Sequence, residues 1–495
     1  MDKQRVASNL AIMSLGQIAT WGLSFGTTAL ISRYLGPSRL GEWTIAISIV
    51  AMLGLVVSLG MGSYLTREIA RAPERAGVLT STAMMVRGLL ALPLIGVLWV
   101  YVHLTHLNTE TQVASYIIFV GMVIWALGGV MLSTFQGHEN MVFGTAWAIA
   151  HNALYLILVA LVIWRHGTLL NFTLNDVITG LLLLAMNLYF IRRYARLTWR
   201  VSRRDIREVV GGSLGFWATT IFGTIYGNID AIILGTVAGV GAAGLYGAAT
   251  RLFAVPLFLP GMIATATLPL LSRLGVNAEA DFMHVGRKTI SLLIACAVPL
   301  TIGLATFAGP LIALINGPRF LSAVPVLIVL SLCILPTFLN VQFYQMLAAR
   351  DKQWRWTIVM AISCVLNPLA NFILIAFAER HWHNPAVGAA LALLVTEAGM
   401  AIYGTISMRA VLLDRALGRI ALGALVAGMA QLAVVWLTSG LWAPIGETLG
   451  VAAYAIIGIA VGAIPREDVV MLSQIVIRRP QILRGKHDAP PIPVD

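Results

Sequence analysis

Fourteen stretches of mostly apolar residues follow one another along this chain, separated by short polar turns. Their approximate limits are 8–32, 42–65, 78–102, 113–135, 141–164, 176–192, 209–236, 242–270, 286–308, 322–348, 356–378, 386–408, 418–438 and 444–464. A run of about 20 apolar residues is what an α-helix needs to cross the hydrocarbon layer. Within that layer only a helix or a closed barrel pairs every backbone N–H and C=O. The sequence therefore predicts an all-α polytopic membrane protein of about 14 transmembrane helices. Composition excludes the main alternative: 11% of the 495 residues are charged, where a soluble domain carries about 25%. No polar block is long enough for a water-soluble catalytic domain, and nothing at the N-terminus resembles a cleaved signal.

The net charge of +12 is read as loop charge and excludes nothing about the membrane reading; nucleic acid is not an expected partner. With the N-terminus in the cytoplasm, 26 Lys and Arg residues fall in inside segments and 5 outside, with Arg87 and Arg251 left within spans. This is the positive-inside asymmetry, and it puts both termini in the cytoplasm. The most basic segment, 192–207 (RRYARLTWRVSRRDIR), has charges at near-helical spacing and reads as an amphipathic linker on anionic headgroups. The tail ends in APPIPVD and reads as a disordered cytoplasmic end. Cys296, Cys333 and Cys364 lie in apolar runs with no CxxC pair, as packing residues do. Asn171-Phe172-Thr173 is a glycosylation triplet on an expected outer loop.

The two sides of the basic segment look alike. LGPSRLGEWTIA (35–46) aligns with VAGVGAAGLYGAA (237–249), so that Gly41 falls on Gly244 and Trp43 on Tyr246 at an offset of 203. Gly22 and Gly26 fall near Gly223 and Gly227, both with GxxxG spacing. Six spans repeat as six more. The expected organisation is an N-terminal six-helix lobe (1–192), a basic linker (193–208), a C-terminal six-helix lobe (209–410), two extra helices (411–465) and a tail (466–495). Internal repeats in a membrane protein point to a transporter whose site lies at the repeat interface.

A few ionisable groups sit at membrane depth, where a charge costs about 2.5–3.5 kcal/mol on insertion scales. Asp230 and Arg251 lie at similar depth on neighbouring spans, with Pro256 and Pro260 beyond Arg251. They either form an ion pair that fixes two helices, or Arg251 faces a cavity and grips an anion that Asp230 helps hold or release. Arg87 lines the same cavity or snorkels to headgroups. Arg33 flanks the first outer turn as a guard or a solvated interface residue. Glu397, Asp230 and His151 are the candidates for coupling a proton or cation; Glu397 reads equally as a hydrogen-bonded structural carboxylate, and His151 as glue between helices. Asn152, Asn340, Gln342, Gln345, Asn367 and Asn371 read as glue between helices. No HExxH or P-loop occurs. No catalytic residue, metal site or cofactor is predicted, and the chain is not read as an enzyme.

ISRYLGPSRLGEW (31–43), the NIDAIILG and GLYGAATRL pair (228–252), and NPLANFILI followed by GAALALL and Glu397 together resemble bacterial polysaccharide flippases. These are the Wzx-like members of the multidrug/oligosaccharidyl-lipid/polysaccharide exporter superfamily. The resemblance covers nearly the whole chain, and Arg33, Asp230, Arg251 and Glu397 match positions where that family places polar residues. It implies two six-helix lobes in a V around a cationic cavity, plus two extra helices. It also implies an undecaprenyl-pyrophosphate-linked oligosaccharide moved from the cytoplasmic to the periplasmic leaflet of the bacterial inner membrane by alternating access. Membrane lipids are further partners, a polysaccharide polymerase and a chain-length regulator are the expected associates, and the chain is read as a monomer. The alternative within the superfamily is a cation-coupled multidrug exporter. Fourteen spans and two intramembrane arginines argue against it, because such exporters favour twelve spans and acidic cavities.

Overall fold

The structure, a computed structural model, describes residues 3–105, 108–138, 141–198, 201–409, 415–440 and 442–463. Every long regular element among them is an α-helix, and there is no strand. The helices group into two compact units. The first comprises Met1–Val255, Ala308–Cys333 and Lys352–Met400. It holds α1 (Lys3–Ser58), α2 (Met61–Arg71), α3 (Ala76–Leu104), α4 (Thr109–Gly137), α5 (Met141–Trp164), α6 (Leu169–Ile191), α7 (Arg203–Val237) and α8 (Val240–Phe253). It also holds α11 (Ala308–Ile315), α12 (Val324–Leu332), α14 (Gln353–Trp382) and most of α15 (Pro385–Ser407). The second unit comprises Pro256–Phe307, Ile334–Asp351 and Ala401–Asp495. Its helices are α9 (Phe258–Asn277), α10 (Glu279–Thr306), α13 (Ile334–Ala348), α16 (Arg415–Leu437) and α17 (Ala443–Ala460).

Among the described residues twelve helices are long and apolar enough to cross a membrane, or thirteen if the run interrupted at 254–257 is one span. The expected fourteen treated residues on either side of Gly36 as two spans. The structure has one long helix there with a break inside it: Gly36 takes φ 73°, ψ 177°, and Pro37 follows. An L-residue side chain disfavours that backbone, whereas glycine enters it freely. Gly239, 203 residues on, takes φ 87°, ψ 169° where α7 gives way to α8. The same break therefore recurs at the offset read from the sequence.

The repeat also appears as a contact. α1 crosses α8 so closely that a Cβ on Gly41 would lie 1.7 Å from the Val240 carbonyl oxygen, and one on Gly244 would lie 1.8 Å from that of Pro37. Val240 is to Pro37 as Gly244 is to Gly41, so the contact is reciprocal. The GxxxG pairs behave differently. A Cβ on Gly22, Gly223 or Gly227 would meet nothing within 4 Å, so these glycines do not bring backbones together.

Two loop readings change. The basic segment 192–207 is not one amphipathic helix. Residues 195–198 and 201–202 are irregular, and α7 starts in a capping box. There the Asp205 amide donates to Ser202 Oγ at 3.1 Å, and the Ser202 amide donates to Asp205 Oδ2 at 3.0 Å. Each side chain satisfies a helix-end N–H that would otherwise be bare. The Ser202 bonds hold the Asp205 carboxyl below its ordinary range. Asn171 lies in the first turn of α6 instead of a loop, its Oδ1 accepting from the Thr168 amide at 2.8 Å. The tail from 466 lies outside the described residues.

In the first unit α2 buries Met61, Tyr64, Leu65 and Ile69 against Leu79 and Ala83 of α3, Phe135 of α4 and Val209 of α7. In the second, Val298 packs with Ala424, Ala427 and Tyr454. Pro299 inside α10 cannot donate to the carbonyl four residues earlier. That carbonyl, of Ala295, accepts the Tyr454 hydroxyl at 2.8 Å instead. Pro299's own carbonyl accepts from Gln431 Nε2 at 3.2 Å. A proline in a membrane helix is tolerated when a neighbour repairs the backbone in this way. Tyr454→Phe is expected to cost about 1 kcal/mol, read as a lower thermal-unfolding midpoint in detergent. The Tyr454→Phe/Pro299→Ala pair should recover most of it, because residue 299 then supplies the missing N–H.

Candidate functional site

Two helices of the first unit carry polar side chains one turn apart on a buried face: Tyr226 and Asp230 on α7, Asn367 and Asn371 on α14. The i, i+4 spacing puts each pair on one side of its helix. α8 adds Tyr246, and α15 adds Thr396 and Glu397. All seven lie inside the unit, with Asp230 4% exposed and Glu397 7%. Asp230 Oδ2 accepts the Tyr246 hydroxyl at 2.8 Å, and Oδ1 accepts Asn371 Nδ2 at 2.7 Å. Asn371 Nδ2 also approaches Asn367 Oδ1 at 3.0 Å. Asn367 Nδ2 reaches Thr396 Oγ1 at 3.5 Å, and that hydroxyl bonds Tyr226 at 2.8 Å. Tyr226 lies within electrostatic range of both Asp230 and Glu397.

This network answers one of the open alternatives. Asp230 and Arg251 do not form an ion pair; the carboxylate is held by neutral donors alone. Two hydrogen bonds make burial of a carboxylate tolerable but leave its charge uncompensated. The neighbouring oxygens belong to amides, hydroxyls and a second carboxylate, the donor set of a hard ion. Among the described residues no group of three or more His, Cys, Asp or Glu is placed to hold a metal ion.

Arg251, near the end of α8, lies over Trp43 of α1, its guanidinium carbon 4.9 Å from the ring centroid. It is half-buried. No hydrogen bond or ion pair occupies its donors among the described residues. A guanidinium is stabilised there by the aromatic face, and its planar fork of donors stays unused among the described residues. It is within electrostatic range of Tyr155 of α5, as is Asp176 of α6.

The other predicted arginines are committed to backbone. Arg87 is 5% exposed and donates to the carbonyls of Ala126 and of Ser58, the last residue of α1. Arg33 donates to the Leu314 carbonyl in the last turn of α11. Arg33, and Arg87 through Ser58, meet helix ends, where carbonyls lack partners and the dipole favours a cation; Ala126 lies inside α4. His151 lies in an aromatic stripe, 4.5 Å between ring centroids from Trp125 of α4 and 5.9 Å from Tyr155.

Sequence reasoning missed Tyr226, Tyr246, Thr396 and Asp176. The Asn367/Asn371 spacing was a usable signal, read as interhelical glue; Asp176 was hidden by taking it as the first residue of its span. Tyr246→Phe removes one of the two donors to Asp230. It is expected to cost about 1.5–3 kcal/mol if the carboxylate is charged and much less if it is protonated. Thermal unfolding of the variant at pH 5 and pH 8 separates the two cases.

The profile of the family described as polysaccharide biosynthesis protein matches residues 6–275. The chain is similar to the succinoglycan biosynthesis transport protein ExoT of Rhizobium meliloti, 21% identical over 67% of each chain. It is also similar to the probable flippase AglR of Haloferax volcanii, 28% identical over 49% of this chain and 50% of that one. Among solved structures, the lipid II flippase MurJ in an inward closed conformation superposes with a TM-score of 0.74 over 93% of this chain and 100% of MurJ, at 16% identity. An inward-facing multidrug resistance MATE transporter of the MOP superfamily gives 0.64 over 79% of this chain and 94% of that one, also at 16% identity. The fold is the one that these two solved structures share, and with its apolar spans the chain is an integral membrane protein.

Proposed function

Because the chain belongs to the polysaccharide biosynthesis protein family, we propose that it is a flippase for a lipid-linked oligosaccharide in the bacterial inner membrane. The substrate is an undecaprenyl-pyrophosphate-linked repeat unit carried from the cytoplasmic to the periplasmic leaflet, with both chain termini cytoplasmic. The observation that carries this reading is Arg251: a membrane-depth guanidinium with an aromatic support, an accessible face and no acidic partner. A pyrophosphate supplies the acceptors that its fork needs. The sugars need a polar interior, and the polyprenyl tail stays in the bilayer.

Asp230 and Glu397 form the coupling site in this reading. Protonation or cation binding at Asp230 neutralises a charge that otherwise has only neutral donors. That loading biases one of two conformations by its differential free energy in the two states. Contacts at two ends of the first unit must then break in turn. At one, Gly41 crosses Gly244 and Arg33 holds Leu314. At the other, Arg75 makes a bidentate pair with Glu208 at 2.8 and 3.0 Å, and Trp217 Nε1 donates to the Leu55 carbonyl at 2.9 Å. Arg75 holds the Glu208 carboxyl below its ordinary range. That contact is therefore fully formed above the usual Glu titration and weakens as pH falls through the lowered value.

The test is translocation in proteoliposomes of fluorescent undecaprenyl-pyrophosphate-linked oligosaccharide, with a lipophilic cationic dye in parallel. Wild type should move the lipid and not the dye. Arg251→Gln should slow lipid movement by ~10- to 100-fold, the equivalent of a lost charge-assisted hydrogen bond or two. Asp230→Asn should remove the dependence on a proton or sodium gradient. Dye transport without lipid transport would replace this reading with the multidrug exporter.

A further inference from the structure

α5 presents Trp147, His151 and Tyr155 at intervals of four residues, so one face of a membrane span is an unbroken aromatic stripe. Trp125 of α4 closes on it edge-on. Its ring centroid is 5.3 Å from that of Trp147 and 4.5 Å from that of His151, at interplanar angles of 87° and 80°. The far end of the stripe leads to Asp176 and Arg251, both within electrostatic range of Tyr155, and so to Trp43 beneath Arg251. Five helices of the first unit (α1, α4, α5, α6 and α8) thus converge on one aromatic and polar patch.

Packing alone does not account for it. Trp147 Nε1, His151 Nε2, the Tyr155 hydroxyl and Trp43 Nε1 are all buried without a hydrogen-bond partner. In a membrane span each would be cheaper as Phe or Leu, because a buried polar atom left bare forfeits its hydration. Asp176 likewise has neither a hydrogen bond nor an ion pair among the described residues. It is closely surrounded by protein while retaining part of its accessible surface. Bare donors (two indole N–H groups, a phenol and a guanidinium) stand beside bare acceptors (a carboxylate and an imidazole nitrogen). A ligand that matches this set both donates and accepts along its length, and has flat apolar faces to lay against indole and phenol rings. An organic cation matches it only in part: the aromatic faces and Asp176 suit it, but Arg251 repels it and the N–H donors gain nothing.

We infer that this patch is a saccharide subsite, in which the first sugars of the substrate stack on Trp125, Trp147 and Tyr155 and hydrogen-bond Asp176, while the anion occupies Arg251. The inference rests on the flippase reading above for the source of the sugar, and adds which residues read it. Sugar hydroxyls replace the missing partners of the four bare atoms when the helices part to admit them. The closed, sugar-free arrangement is thereby penalised relative to the loaded one.

The experiment uses the full chain in lipid nanodiscs and two separate probes. One is the phosphate-free glycan pool released by mild acid from the lipid extract of the producing cells; the other is inorganic pyrophosphate. Binding is followed by saturation-transfer NMR and titration calorimetry. Wild type should bind both. Trp147→Leu and Asp176→Asn should each weaken glycan binding about tenfold or more, the scale of a lost anchor contact, with pyrophosphate binding unchanged. Tyr155→Phe keeps the ring and removes only the hydroxyl, so it should fold and show a smaller loss in the same direction. Arg251→Gln should do the reverse, losing pyrophosphate and keeping glycan. No glycan binding by wild type, or glycan binding unchanged in these variants, overturns the subsite. An effect of Asp176→Asn confined to the pH dependence of transport also overturns it. In these cases pyrophosphate binding that still depends on Arg251 leaves the flippase reading standing. Glycan binding without pyrophosphate binding supports the subsite and counts against the proposed anion grip.

Discussion

Where α1 crosses α8 the two backbones touch with no side chain between them. Any Cβ on Gly41 or Gly244 would lie inside the van der Waals radius of the opposing carbonyl. Helices joined through lipid-like surroundings gain little from the hydrophobic effect and depend on close packing. A backbone-to-backbone crossing supplies it at the shortest distance available. The breaks at Gly36 and Gly239, each with the same left-handed φ, turn the chain into the crossing from both sides. Trp43 follows Gly41 by two residues and Tyr246 follows Gly244 by two, so the crossing presents one aromatic to each of the two buried charges.

Those two aromatics divide the work. Tyr246 donates to Asp230, and Trp43 lies under Arg251. The repeat therefore handles a negative and a positive group with the same local geometry and different chemistry: a phenol O–H for a carboxylate, an indole face for a guanidinium. Neither charge neutralises the other. An ion pair would have satisfied both and left nothing for a substrate or a coupling ion. In the flippase reading proposed above, keeping them apart leaves one to meet an anion and the other to take a proton or cation.

Several features were legible in the residues. The apolar runs marked nearly every helix, because burial in hydrocarbon depends on composition summed along about 20 residues and not on any partner. The offset of 203 was legible because a close crossing and a left-handed turn both demand glycine. Asp230 and Arg251 were identifiable as unusual because charge at that depth is expensive wherever it points. Their pairing was not legible. Asn371 lies 141 residues from Asp230 in sequence, and Trp43 lies still further from Arg251. Similar depth suggested a salt bridge, but depth fixes only one coordinate; helix rotation fixes the other. Arg33 and Arg87 illustrate the same point. Their carbonyl partners on other helices belong to no motif.

The sequence by itself determined an all-helical membrane protein with an internal repeat and a small set of costly polar groups, since hydropathy, glycine spacing and charge act locally along the chain. Tertiary structure alone decided what those groups meet: a carboxylate among amides and phenols, a guanidinium over an indole, two arginines spent on backbone carbonyls of other helices, and an aromatic stripe whose polar atoms lack partners. The physical reason is that a side chain's partner is set by how each helix is rotated and crossed against its neighbours. Those angles follow from the packing of many side chains at once and are written in no short stretch of residues.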